Sequence, residues 1–391
     1  MMHRTPRSRC AVKTLAAAIP ACLFLLVLAA CRQPPEFDPA YHEFAYVSNG
    51  KSDSVSVIDT LALRNAKTIS VGKNPTGLAV NPVRNEVYVA NTESNNVSII
   101  NTEKNEVVAT IGVHRAPYFV SVSTDGKRAY VANSGSSNVS VIDLDKRAVM
   151  TTIPVGNAPG LASASPDGSV VVVSNRGADT VSLIDTQKLA VRSTLPVCSE
   201  PQDIVILPDS SKAYVSCPGN NQLASIDLKT DKVVALLDIG KVPIQMAPKP
   251  DGGEIFVSNF DGNTFSIVEA YTNEVSGSYL IGRNPVRGLV TSDNLLLYVS
   301  NFGSDNVSVY AIDEGRVIGS VGVGSRPDGL ALTPNEDHLL VVDTKSGDVA
   351  VIRTTKTRDN SKISAERALI TMIPVGNQPN DIVIKAFKSG K

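Results

Sequence analysis

Eight times along this chain a short apolar phrase closes on a polar residue at the same spacing. The closing residues are Asn49, Asn91, Asn133, Asn175, Cys217, Asn259, Asn301 and Asp343, and every interval is 42 residues. The proline of a second phrase keeps the same step at Pro75, Pro117, Pro159, Pro201, Pro243, Pro285 and Pro327, then returns at Pro379 after ten extra residues. A period held this strictly demands a repeat architecture. Each unit is then one small supersecondary structure that can bury its apolar surface only against its neighbours.

Within a unit, four short apolar runs alternate with turn signals. In the second unit they are Leu78–Val80, Val87–Ala90, Val97–Ile100 and Val107–Ile111. They are rich in Val and Ile and bounded by Asn, Asp, Gly, Pro or Ser, as the strands of a meander are. None approaches the length a helix needs. The first two runs are joined by STDGK, SPDGS or KPDGG at 123–127, 165–169 and 249–253, and Asp-Gly supplies the positive φ of a tight hairpin. A lone four-stranded sheet of this kind has two apolar faces and no core, so the units must stack face to face in a ring. The N-terminus supplies three strands (44–49, 55–59, 67–71) and the stretch Asp381–Ala386 the missing innermost one. The fold expected is all-β, a β-propeller of 42-residue, four-stranded blades closed by both chain ends. The repeat count gives eight blades, with seven as the alternative if an end repeat stays outside the ring.

The phrases YVAN, VSVID, ATIGV and IPVGNAP resemble the YVTN-type β-propeller repeats of exported and cell-surface bacterial proteins, including the YncE-like family, and of archaeal surface-layer proteins. The resemblance covers residues 44–387. Members commonly have seven blades, fewer than the count here. The departures from the repeat are Cys217 and Asp343 in the Asn position and Cys198 in the Gly position.

The N-terminus reads as an address. Arg4, Arg7, Arg9 and Lys13 precede an apolar run from Leu15 to Ala30, the pattern of an export signal. Leu28-Ala29-Ala30-Cys31 resembles the lipobox of bacterial lipoproteins, which implies lipidation of Cys31 and removal of residues 1–30. Arg32 in place of an aspartate implies an outer-membrane destination. Residues 31–43 form a lipidated, Pro-rich tether on this reading, and 44–388 the propeller. Loss of the four signal cations takes the formal net charge from −1 to −5, and without a basic block there is no footprint for nucleic acid. The protein is expected to be exported, anchored to the outer membrane or cell surface rather than cytoplasmic, and monomeric.

Cys10 and Cys22 leave with the signal. Cys198 and Cys217 depart from the repeat together, at adjoining sites, one in the loop entering a blade and one at the end of its second strand. In an exported chain this predicts a disulfide. A redox or metal-binding thiol pair is the competing reading.

No catalytic constellation stands out. There is no Trp, no CxxCH, and no GxSxG, HExxH or phosphate-loop pattern, and His114 and His338 lack ligand-pair spacing, so no cofactor or metal is expected. Asp59, Asp143, Asp185 and Asp227 recur in register, which marks them as turn-capping residues. The Asn of YVxN is expected to satisfy the loop backbone. Function in such a ring resides where repeats disagree, around the mouth of the channel. Tyr118, Phe119, Arg176, Phe260, Arg287 and Phe302 make a mouth of aromatics and cations, and Asp203, Asp328 and Asp381, with Glu200, are the acidic groups beside them. That set suits an anionic or aromatic ligand, or the side chains of a partner. The ten extra residues within Arg353–Arg367 read as a solvated loop on the opposite face. The function expected is a non-catalytic binding module for a protein, peptide or envelope polymer. The alternative is a periplasmic enzyme of propeller lactonase or oxidoreductase type, with its site at the channel mouth.

Overall fold

The four runs of a repeat become four antiparallel strands. In the second repeat these are β4 (Pro75–Val80), β5 (Glu86–Asn91), β6 (Asn96–Asn101) and β7 (Glu106–Gly112), hydrogen-bonded in that order. The meander recurs to give eight four-stranded sheets among the residues that this computed structural model describes, which are 38, 40–354 and 369–389. Eight blades therefore stand, and seven do not. Gly126, Gly168 and Gly252 take φ of 68°, 72° and 76° in the expected hairpins, a region closed to most side chains. The export segment 1–30, Cys31 and residues 355–368 of the extra segment lie outside the described residues.

Closure uses both ends of the chain. β1 (Tyr41–Asn49), β2 (Ser54–Asp59) and β3 (Arg64–Ser70) form three strands of one sheet, and its innermost place is taken by β32 (Pro379–Lys388). The register runs from Tyr41↔Lys388 to Val47↔Ile382. β1 begins earlier than the expected Phe44 because β32 is long enough to pair with Tyr41–Glu43, and the rings of His42 and Phe44 both approach Phe387, at 5.4 and 6.2 Å.

The hydrophobic clusters belong to the spaces between blades, not to any blade. Tyr46, Val55 and Val57 of the closing blade pack with Leu78, Val87 and Val89 of the second. On its other face, Ala45, Val47 and Ile58 meet Leu340, Val342, Val349 and Val351. Each fully buried Val, Leu or Ile contributes roughly 1.5–3 kcal/mol, so a blade gains its stability only from neighbours on both sides. An open array would leave two such faces in water. The ring leaves none.

The Asn that closes each YVxN phrase is buried, and at Asn49 its Oδ1 accepts the Gly376 N–H of the entering loop at 3.1 Å, the expected bond to loop backbone. Its Nδ2 donates to side chains five and seven residues on. Asn91 reaches Asn96 Oδ1 at 2.8 Å and Ser98 Oγ at 2.9 Å, and Asn175 reaches Thr180 and Ser182 at 3.0 and 2.9 Å. In most blades the entering loop closes over this amide so tightly that the residue there is glycine, although His114 holds the place in the third. A Cβ on Gly72, Gly156 or Gly240 would lie 2.7, 2.6 or 2.3 Å from the Asn side chain.

The two exceptions are now intelligible. Where Cys217 and Asp343 replace Asn, the serine seven residues on becomes Ala224 or Ala350, because no amide remains to bond it. Cys198 occupies the Gly position, and the two cysteines form the expected disulfide with a Cα–Cα distance of 5.6 Å. The close approach that excludes a Cβ beside Asn suits a disulfide. The 19-residue separation makes this bridge worth on the order of 3 kcal/mol. In the last full repeat Asp343 Oδ2 accepts the Gly324 N–H at 3.0 Å, and Asp343 stands opposite Asp348 across the strand pair. Burial, and then the Asp348 carboxylate, push Asp343 up to about 8. A proton retained there lets the carboxyl donate towards Asp348 as the amide would.

Candidate functional site

The mouth is built from two sets of loops. One enters each innermost strand at its proline, and the other follows each Asn phrase. The residue before the proline is left-handed in every repeat, from Asn74 (φ 50°) to Val242 (φ 54°) and Gln378 (φ 52°). Such a conformation costs a non-glycine residue on the order of 1 kcal/mol or more. The cost is offset by a bond across the blade boundary. Asp53 Oδ1 accepts the Asn74 N–H at 2.9 Å, Asn221 Oδ1 that of Val242 at 2.8 Å, and Asp305 Oδ1 that of Arg326 at 2.9 Å. Six of the eight entering loops are fastened to the preceding blade in this way.

Below the rim, the second residue after each proline comes from the innermost strand. Where it is polar it reaches the next blade. Asp203 Oδ2 accepts the Met246 N–H at 2.8 Å, Gln245 Oε1 that of Gly288 at 2.7 Å, and Asp381 Oδ2 that of Leu78 at 3.0 Å. Arg287 holds the same position and does something else. Its Nε donates to Asp328 Oδ1 at 3.2 Å, and its Nη2 stands 3.8 Å from Asp381 Oδ1, a residue two blades away. Desolvation raises Asp203 and Asp381, and the Arg287 charge works against the rise in both. Burial alone would lower Arg287, but the Asp381 and Asp328 carboxylates more than reverse this and hold it charged. The channel at this level contains an ionic cluster in which three carboxylates share one guanidinium.

The expected mouth residues therefore separate into groups. Arg287, Asp328 and Asp381 are in contact, with Asp203 in the same electrostatic cluster. Phe260 and Phe302 form a second group, with ring centroids 6.2 Å apart and planes at 54°. Tyr118 is exposed in the third blade, its carbonyl accepting from Thr76 Oγ1 at 2.7 Å, and Phe119 lies beside Gly77. Arg176 lays its stem over Gly160 in the fourth blade. Sequence reasoning passed over Gln245 and Arg326. Arg326 places its guanidinium 5.3 Å from the Phe302 centroid. Its position immediately before a repeat proline was the available signal.

Asp59, Asp143, Asp185 and Asp227 are turn caps, as expected. Asp59 Oδ1 accepts the Leu61 and Ala62 N–H groups at 3.1 and 2.9 Å, and the other three do the same in their own turns. Among the described residues no group of three or more His, Cys, Asp and Glu side chains is placed to hold a metal ion.

With this geometry in hand, the chain can be set against known proteins. The family described as YNCE-like β-propeller matches residues 37–164 and 129–250, which together span more than half of the chain. The chain belongs to the YNCE-like β-propeller family. The family described as lactonase, 7-bladed β-propeller, matches a shorter stretch, residues 287–368. No curated protein matches this YNCE-like chain. Among solved structures it is similar to hydrazine synthase of Kuenenia stuttgartiensis, with 23% identity and a TM-score of 0.58 over 68% of this chain and 91% of that one. It is also similar to the dihydro-heme d1 dehydrogenase NirN in complex with DHE, with 15% identity and a TM-score of 0.73 over 91% of this chain and 78% of that one. A functionally unknown protein from Desulfotomaculum acetoxidans is similar at 16% identity and a TM-score of 0.57, over 87% of this chain and 98% of that one. At these identities the likeness is one of fold.

Proposed function

We propose that this YNCE-like propeller is an exported, lipid-anchored binding module of the bacterial cell envelope, which holds a protein partner at its channel mouth without transforming it. The observation that carries this reading is the commitment of the channel carboxylates. Asp203 and Asp381 accept backbone N–H groups of neighbouring blades, and Asp328 and Asp381 flank Arg287. Acids engaged in this way brace the ring, whereas an acid–base catalyst needs a carboxylate free to meet substrate. Six of the eight rim loops are fastened across a blade boundary, as suits recognition of a preformed surface.

The anchor fits the topology. β1 enters the ring at Tyr41, at the strand end remote from Asn49 and the mouth. A lipid on Cys31 would hold that end by a tether of roughly 35 Å at full extension and leave the mouth accessible. An outer-membrane or cell-surface position follows from Cys31-Arg32 on the same reading. The lactonase-type alternative is favoured by one finding, the family match over 287–368, a stretch that includes Arg287 and Asp328.

Photocross-linking in intact cells tests the proposal. A benzophenone side chain at Tyr118 or Phe302 should yield protein adducts, and one at exposed Leu236 on an outermost strand should not. Absence of mouth adducts, together with lactone hydrolysis or a bound chromophore in the purified protein, would overturn it. Cys31→Ser should release the protein from membranes, and retention of that variant would sink the anchor.

A further inference from the structure

We propose that one sector of the mouth, over the sixth to eighth blades, is a docking arc for an extended acidic polypeptide segment that carries an aromatic side chain. This deepens the binding-module reading above and rests on it. The arc is continuous. Lys241 accepts from Gly262 N at 3.2 Å through its carbonyl, in the turn that begins at Phe260, and Phe260 N donates to Val242 O at 2.9 Å. Asn284 Nδ2 donates to Phe260 O at 3.1 Å, and Asn284 O accepts from Phe302 N at 3.0 Å. Phe302 lies under Arg326, and Arg326 O accepts from Thr344 N at 3.1 Å beside Lys345. Arg283 stands between the two phenylalanines in sequence and touches Gly303.

Its charge is unbalanced. Lys241, Arg283, Arg326 and Lys345 are exposed, and none makes an ion pair among the described residues. The carboxylates nearest in sequence are partly spent. Asp328 holds Arg287 and Asp348 faces Asp343, which leaves exposed Asp261 and Asp305 against the four cations. Four cations on the loops of three successive blades complement an anionic chain running along the rim.

The aromatic element decides the class of partner. Phenylalanine follows the Asn phrase only in these two adjacent repeats, whereas Gly50, Thr92, Ser134, Arg176, Pro218 and Thr344 stand there elsewhere. The two rings are half-buried and inclined at 54°. A sugar needs a flat exposed face to stack upon, but this pair makes a notch, which takes the edge of an aromatic side chain.

The test uses the full chain and a fluorescein-labelled oligoglutamate peptide with one central phenylalanine, followed by anisotropy. Binding should weaken as ionic strength rises, because the cations are exposed. Arg283→Glu should weaken it about tenfold or more, whereas Lys73→Glu, at the same loop position in the second blade, should leave it unchanged. Phe302→Ser should weaken the peptide with phenylalanine but not one with glycine in its place. Equal loss from Lys73→Glu and Arg283→Glu, no binding, or tighter binding of oligogalacturonate than of the peptide would each overturn the docking arc. If cross-linking from Tyr118 in cells persists under any of those results, the binding module stands and only the arc fails. If mouth cross-links are absent as well, the module itself is wrong.

Discussion

Asp343→Asn is a change in which a single proton should be visible in the stability of the ring. Asp343 is buried in a position where most repeats carry an amide, faces Asp348, and is pushed up to about 8, by burial first and by that carboxylate second. The native protein therefore retains a proton that the unfolded chain has already released at neutral pH. A raised folded-state pKa contributes stability that is fully present below the unfolded value and is lost as pH rises through the folded one. The window runs from the ordinary carboxylate range to about 8. One proton changes stability by about 1.4 kcal/mol per pH unit, so the wild type should lose about 3–4 kcal/mol between pH 5 and pH 8 through this residue. In the asparagine variant the amide donates to Asp348 at every pH, as Asn91 donates to Asn96, and the loss should vanish. Urea midpoints followed by far-ultraviolet circular dichroism at pH 5, 6, 7 and 8 measure this, with Asp203 and Asp381 common to both proteins. A stability difference between variant and wild type that stays constant over this range would refute the reasoning.

Three further outcomes follow from the same geometry. Cys217→Ser should lower stability by about 3 kcal/mol, and the triple change Cys198→Gly, Cys217→Asn, Ala224→Ser should recover most of it by rebuilding the repeat latch; unfolding midpoints decide, and a triple variant no better than the single one counts against the latch. Arg287→Met should cost about 1–3 kcal/mol at pH 7, a range discounted because its side chain is 37% exposed. The cost should shrink towards pH 5, because Asp381, whose native pKa burial raises and which the variant leaves without its cation, is stabilising only while protonated. Truncation after Gln378 removes β32 and strips β1 of its partner from Tyr41 to Asn49; limited proteolysis should then digest the whole domain, and a protected ring of the remaining blades would contradict closure by both ends.

The separate groups at the mouth show where sequence reading reached its limit. Phe260 and Phe302 could be singled out because they depart from the repeat, and the structure places them in contact. Arg287 could be singled out for the same reason, but read alone it looks like a free cation awaiting an anionic ligand. Its company of Asp328, Asp381 and Asp203 comes from other blades, and no local spacing announces it. The same holds for the Asn latch, whose glycine and serine partners repeat visibly along the chain while their mutual contact does not.

What this chain's sequence determined alone was the blade. Runs of Val and Ile too short for helix, divided by Asp-Gly turns and repeated every 42 residues, leave a four-stranded meander that needs company on both faces, and counting them yields eight. What only the tertiary structure decided was which side chains meet across the channel and between neighbouring loops. Closing the ring brings residues dozens to hundreds of positions apart within a few ångströms, as with Asp381 and Leu78. The charges and pKa values at the mouth are set by those encounters, whereas the blades follow from periodicity that each repeat carries within itself.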